Sequence, residues 1–123
     1  MKNQEIDNKT LVKAIVEGAQ EKKGRSIVTV DLANIEYAPT QGFVIINGNT
    51  PIQVDAIADS IREYVEKTVS VRPYNYDGYQ NSQWIVLDYG TIYVHVFLPE
   101  YRLRYNLEQL WADASITTIP DLD

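Results

Sequence analysis

The sequence predicts an α/β (α+β) domain built on a mixed β-sheet, with its elements in the order α-β-β-α-β-β-α. Three observations carry that prediction. Two long segments repeat apolar residues at helical spacing, and several short runs are β-branched or continuously apolar. A strand–helix–strand step then favours a parallel pair, while a hairpin near the end of the chain is antiparallel.

The first helix is read over residues 8–23, where Leu11, Val12, Ile15, Val16 and Ala19 form one stripe and Lys22-Lys23-Gly24 marks the end. The two lysines suit the negative end of the helix dipole. Ile27-Val28-Thr29-Val30-Asp31-Leu32 is short and β-branched and reads as a strand. Gly42-Phe43-Val44-Ile45-Ile46 is nearly continuous in apolar character, as a central strand is. Thr50-Pro51-Ile52-Gln53 is the clearest local signal, combining an N-cap, a proline at the first helical position and a glutamine where a capping box wants it. Val54, Ile57, Ala58, Ile61 and Val65 continue a stripe from it, so a helix runs from about 51 to 70. Residues 73–83 read as a polar loop carrying tyrosines. Tyr101, Leu103, Leu107, Leu110 and Trp111 give a last helical segment, short or broken.

Trp84 to Phe97 reads as a β-hairpin turning at Tyr89-Gly90. A two-residue turn there sets Asp88 opposite Thr91, Val86 opposite Tyr93 and Trp84 opposite His95. Ile85, Leu87, Ile92, Val94 and Val96 then share one aliphatic face, which is core. The other face carries Trp84, Val86, Asp88, Thr91, Tyr93, His95 and Phe97. Aromatics mixed with an acid and a histidine suit a half-exposed recognition surface. The competing reading is a helix laid over this face, with the polar groups satisfied internally.

A chain of 123 residues with 45% hydrophobic and 23% charged residues is read as one domain, 1–123, with a core at about 8–114 and a flexible tail at 115–123. No apolar run approaches the roughly 20 residues that cross a bilayer, so no membrane is expected. Met1-Lys2-Asn3-Gln4-Glu5 does not resemble a secretion signal, and cysteine is absent. The expectation is a cytoplasmic protein. Net charge is −6, from 17 acids against 11 bases. Nucleic acid bound through its backbone demands the opposite balance, so a basic protein is the better partner, despite a local cluster at Lys22, Lys23 and Arg25.

The candidate chemistry is thin. Gly48 at a strand-to-helix junction would present amides to an anion, but Thr50 capping explains that turn by itself. Asp121-Leu122-Asp123 is the only D-x-D and reads as solvated tail. Asp55 and Asp59 share a helix face, as an exposed charged stripe does. A single histidine, His95, excludes the common His/Cys zinc sites. No Walker or dinucleotide fingerprint is present, and no cofactor is expected.

Trp84-Ile85-Val86-Leu87-Asp88-Tyr89-Gly90, then Val94-His95-Val96-Phe97, then Arg102 and Tyr105-Asn106-Leu107-Glu108-Gln109-Leu110-Trp111 resemble the signature of the Iojap-like ribosomal silencing factor family. The leading helix, the apolar strand and the capped helix agree, and the resemblance covers about residues 8–114. It implies a fold like the nucleotidyltransferase core without the catalytic residues, and a protein that is not an enzyme. It also implies binding to the large ribosomal subunit through a basic protein of its intersubunit face, large-subunit protein fourteen, with little direct rRNA contact. Occupying that surface would block subunit joining and repress translation, and members often form homodimers. Matching positions nominate Trp84, Asp88, Tyr89, Tyr105, Leu107 and Glu108 as ribosomal-protein contacts, with Asp88 and Tyr89 at an exposed turn. Leu110 and Trp111 are expected to be packing anchors. Thr91 departs from the acid usual after D-Y-G and removes a charge beside Asp88. Asn47-Gly48-Asn49-Thr50 replaces the more usual Thr-Gly start. The rival readings are a nucleotidyltransferase-like enzyme and a generic dimerisation or adaptor domain.

Overall fold

The computed structural model describes residues 6–122; the Met1–Glu5 segment and Asp123 of the terminal D-x-D lie outside the described residues. In chain order the elements are α1 (Asn8–Glu21), β1 (Arg25–Asp31), β2 (Gly42–Asn47), α2 (Pro51–Val69), β3 (Asn75–Asp77), β4 (Trp84–Asp88), β5 (Ile92–Phe97), α3 (Pro99–Tyr105), α4 (Leu107–Leu110) and β6 (Ser115–Thr118). The six strands form one sheet in the order β3-β4-β5-β2-β1-β6. The β2–β5 pair is parallel and every other pair is antiparallel, so the sheet is mixed as the sequence predicts.

Both long helices start on side-chain caps. Asp7 Oδ1 accepts the Thr10 N–H at 2.8 Å, and Thr50 Oγ1 accepts the Gln53 N–H at 3.0 Å. Gln53 reaches back to the Asn49 N–H (2.7 Å) rather than to that of Thr50, while its amide nitrogen donates to the Lys22 carbonyl at 3.3 Å. One side chain thus ties the start of α2 to the end of α1. That end comes at Glu21, so Lys22 and Lys23 stand just past the helix rather than in its last turn. The two helices pack closely at Gly18. A Cβ there would lie 3.0 Å from Ile61 Cα, and Ser60 donates to the Gly18 carbonyl at 2.7 Å.

The structure corrects four expectations. Asn75–Asp77, read as loop, pairs with β4 as an edge strand; three polar residues are too few to show a period. Ser115–Thr118, read as flexible tail, pairs with β1 as the opposite edge. Asp121 is likewise tied down rather than loose: its carboxylate accepts the Ser26 N–H at 2.9 Å and lies 3.5 Å from Arg25. The hairpin turns on Gly90-Thr91, one residue late, with the Tyr89 N–H donating to the Ile92 carbonyl at 2.9 Å. Trp84 therefore faces Phe97, Val86 faces His95 and Asp88 faces Tyr93. The slip moves each partner by two residues, so both faces keep their membership.

Helices α1 and α2 cover one face of the sheet over a wholly buried aliphatic layer that includes Val44, Ile46, Ile85, Leu87, Val94 and Val96. The second face is covered only in part. Phe43, Ile45, Phe97 and, from β1, Val28 and Val30 lie under Ile35, Ala38, Leu107, Trp111 and Ala114. The last helical segment is broken at Asn106, whose left-handed backbone (φ 45°) separates α3 from α4 and lets the chain fold over this face.

Candidate docking surface

The second face divides into a stitched end and an open end. At the stitched end Trp84 stacks on Phe97 (ring centroids 4.9 Å) and leans on Tyr105 (4.7 Å), while its indole N–H donates to His95 Nδ1 at 3.0 Å. Accepting there places the proton of neutral His95 on Nε2, which is buried with no hydrogen-bond partner among the described residues. Burial pushes the His95 imidazole down to about 4, so it is neutral near pH 7. Phe43 meets the imidazole edge-on, centroids 4.8 Å apart, and Trp111 meets Phe43 in the same manner.

Arg102 locks the covering helices down. Its buried guanidinium donates to the Ser26 carbonyl at 2.6 Å and to Asn47 Oδ1 at 2.9 Å. It also holds Glu108 through two bonds of 3.3 and 3.0 Å. One forked cation thereby joins α3 and α4 to the start of β1 and the end of β2. Glu108, nominated as a contact, has its carboxylate engaged inside the protein.

At the open end β4 is half-exposed. Val86, Asp88 and Tyr93 line a shallow cavity of about 280 Å³ with Asn75, Tyr76 and Asp77. Asn75 stands opposite Asp88 and Asp77 opposite Val86, so Asp77 and Asp88 are diagonal neighbours on one surface. Asp88 Oδ1 accepts the Gly90 N–H at 2.7 Å, which uses one carboxylate oxygen to hold the hairpin turn. Gly90 is needed there because its φ is +86°.

The nominated residues therefore do not form one cluster. Trp84, Tyr105, Leu107 and Glu108 gather at the stitched end, and Asp88 lies four residues along β4 at the open end. Tyr89 is corrected outright as an exposed residue. Only 4% of it is accessible, because it continues the inward alternation of Ile85 and Leu87, and burial raises its phenol well above the ordinary range. His95 and Phe97, expected on a half-exposed surface, are also buried, so the covering-helix reading holds for that half of the face. Leu110 is no anchor, being 71% exposed, whereas Trp111 stacks on Tyr37 at 5.6 Å and packs inward. Sequence reading missed Asn75 and Asp77 because β3 was missed. The signal present was the tyrosine at its centre, a strand former between two turn formers.

Among the described residues no three His, Cys, Asp or Glu side chains gather as they would to hold a metal ion. Nor is any described helix long and apolar enough to cross a membrane. What the surface offers is an apolar and aromatic strip with carboxylates at one end.

Comparison with known proteins gives that strip a context. The family model described as "Ribosomal silencing factor during starvation" matches residues 4–123. A ribosomal silencing factor from Halalkalibacterium halodurans is 32% identical over 110 residues, covering 89% of this chain and 92% of that protein. One from Bacillus subtilis is 30% identical over 118 residues, 96% of each chain. A crystal structure of a Chromobacterium violaceum protein superposes with a TM-score of 0.81 at 26% identity, covering 87% of this chain and 88% of that one.

Proposed function

The chain belongs to the family of ribosomal silencing factors during starvation, and from that premise we propose that it binds the large ribosomal subunit and blocks subunit joining. The contact is a basic protein of the intersubunit face, large-subunit protein fourteen, and the action is steric. The observation that carries this reading is the uncovered end of the sheet's second face, where Val86 and Tyr93 lie beside Asp77 and Asp88. Amphipathic rings supply contact area at low entropic cost, and the two carboxylates select a cationic partner. The net charge of −6 disfavours rRNA as the main contact.

Trp84, Asp88 and Tyr105 would touch the partner, with Leu107 at the margin. Tyr89 and Glu108 would support them from within, one beneath the hairpin turn and the other through Arg102. The action is cytoplasmic and consumes no nucleotide. The free protein is a homodimer, which sedimentation velocity measures.

Sedimentation of the purified protein with isolated subunits tests the proposal directly. It should travel with large subunits, lower the yield of joined ribosomes and lose affinity as salt rises, since exposed ion pairs are screened within about 8 Å at physiological salt. Co-migration with small subunits alone, or binding that resists salt but disappears after RNase treatment, would sink it.

A further inference from the structure

We propose that the outer edge of β3 is a strand-addition site for a basic, extended peptide segment. This rests on the docking reading only in sharing Asp77 and Asp88. The sheet ends at β3, which pairs with β4 alone. Asn75 and Asp77 are the residues facing Asp88 and Val86, and Tyr76 lies between them opposite Leu87. Neither the Tyr76 nor the Gly78 N–H is taken by a strand. Asn75 Oδ1 accepts the first at 2.9 Å and Asp77 Oδ1 the second at 2.8 Å. Two short side chains thus stand where the carbonyls of an added strand would stand, and they are exchangeable for them. Protected edges usually carry lysine, proline or a bulge; this one carries an exposed tyrosine and two acceptors.

A strand laid on this edge would send alternate side chains to opposite faces of the sheet, and a recess waits on each. On the helix side is a groove of about 450 Å³ between α2 and β3. Its wall carries Asp59, Glu63 and Glu66, and Arg62 lies over the Tyr76 ring at 4.1 Å from the centroid. Asp59 is engaged by Tyr79 and Arg62, and Glu66 by Arg72, which leaves Glu63 as the surplus negative charge. On the other side is the cavity holding Asp77 and Asp88, whose lining includes no basic residue. Lysine or arginine therefore suits both directions, and the exposed Tyr76 ring would cover the stem of a long cationic side chain. An acidic peptide or a nucleic acid would meet Asp77 and Asp88 with no basic residue beside them on one face, and on the other a groove whose three carboxylates outnumber Arg62 and Arg72 by one.

The test is fluorescence anisotropy of the full chain with a labelled octapeptide of alternating lysine and valine. Two comparison peptides are used: one with glutamate for lysine, and one with the same lysines but N-methylated at alternate residues. The first peptide should bind at least about tenfold more tightly than either of the others, a difference of about 1.4 kcal/mol. It should also slow hydrogen exchange at the Tyr76 and Gly78 amides. Tyr76→Pro, which removes an outward N–H and leaves the β4 ladder intact, should lose the peptide with little change in melting. Equal binding of the N-methylated peptide would reduce the effect to charge alone and overturn strand addition. So would a Tyr76→Pro variant that still binds the peptide but converts a dimer of the free chain to monomer, because a second copy would then be the occupant. Failure here with large-subunit co-sedimentation intact leaves the docking reading standing; peptide binding without co-sedimentation does the reverse.

Discussion

Leu87 and Asp88 are neighbours in the chain and belong to different environments. Leu87 points into the layer under α1 and α2, where no atom of it reaches solvent, and its neighbours are aliphatic. Asp88 points to the second face, half-exposed, with one oxygen committed to its own turn. The same contrast holds for the two faces as wholes. The first is closed by two long helices and needs no polar contact. The second is closed only where the Arg102 hydrogen bonds and the Trp84–Tyr105 ring contact pin short helical pieces across it. A face covered over only part of its length is held by specific polar contacts beside its apolar ones.

The sharpest break of that comparison is Leu87→Lys. An ammonium placed without a partner in the aliphatic layer costs several kcal/mol, a large part of the stability of a domain this size. The expected outcome is loss of the cooperative thermal transition. A folded Leu87→Lys variant would show the first face to be less tightly closed than its burial indicates.

Glu108→Ala tests how the second face is pinned. It strands the buried Arg102 guanidinium with only the Ser26 carbonyl and Asn47 as acceptors. Removing one partner of a buried pair costs about 3 kcal/mol. Denaturant melting should fall by roughly that amount, and Glu108→Gln, which keeps an acceptor, should lose less. If Glu108→Ala is as stable as the parent but fails to co-sediment with large subunits, its carboxylate serves the partner and the clamp is incidental.

The elements legible in the sequence were those with a long period or an unambiguous cap. Both long helices, strands β1 and β2, the broken final helix and the membership of each hairpin face were readable. Edges were not. β3 and β6 hold their places through backbone pairing with β4 and β1, which leaves little trace in side chains exposed on both faces. Tyr89 was misjudged because a turn position was equated with exposure, whereas strand alternation continues through it. Half of the candidate site was legible for a related reason. Trp84, Tyr105 and Asp88 stand out as residue types, but that Glu108 answers Arg102 depends on the fold of α3 against α4.

His95 gives a smaller effect at neutral pH and a pH-dependent one in acid. Burial holds its folded pKa near 4, below the ordinary 6.5. As pH falls below about 6.5 the unfolded chain takes up a proton that the folded chain refuses until about 4. The stability contribution is therefore complete above 6.5 and is lost progressively down to 4, by about 3 kcal/mol in all. His95→Phe should flatten this part of the stability–pH curve. At neutral pH it should cost about 1 kcal/mol, because the Trp84 indole loses its acceptor. An unchanged acid slope would mean that His95 protonates readily in the folded protein.

The smallest expected change in stability is at Asp88, and it is the one that isolates docking. Asp88→Asn keeps an oxygen for the Gly90 N–H and keeps the shape of the side chain, so melting should move by less than about 0.5 kcal/mol. It removes one negative charge from a half-exposed surface, where an ion pair contributes up to about 1 kcal/mol. Large-subunit affinity should thus weaken by no more than about fivefold. Asp88→Lys does two things more. It deletes the turn acceptor, at about 1 kcal/mol of stability, and it sets like charges against each other at a basic partner, which costs several kcal/mol of binding. The pair separates structure from recognition: Asn should bind weakly and Lys should not bind at all, while both stay folded. A Lys variant that melts as badly as Leu87→Lys would make Asp88 a structural residue of the turn. One that stays folded and still co-sediments would move the docking surface away from the open end of the sheet.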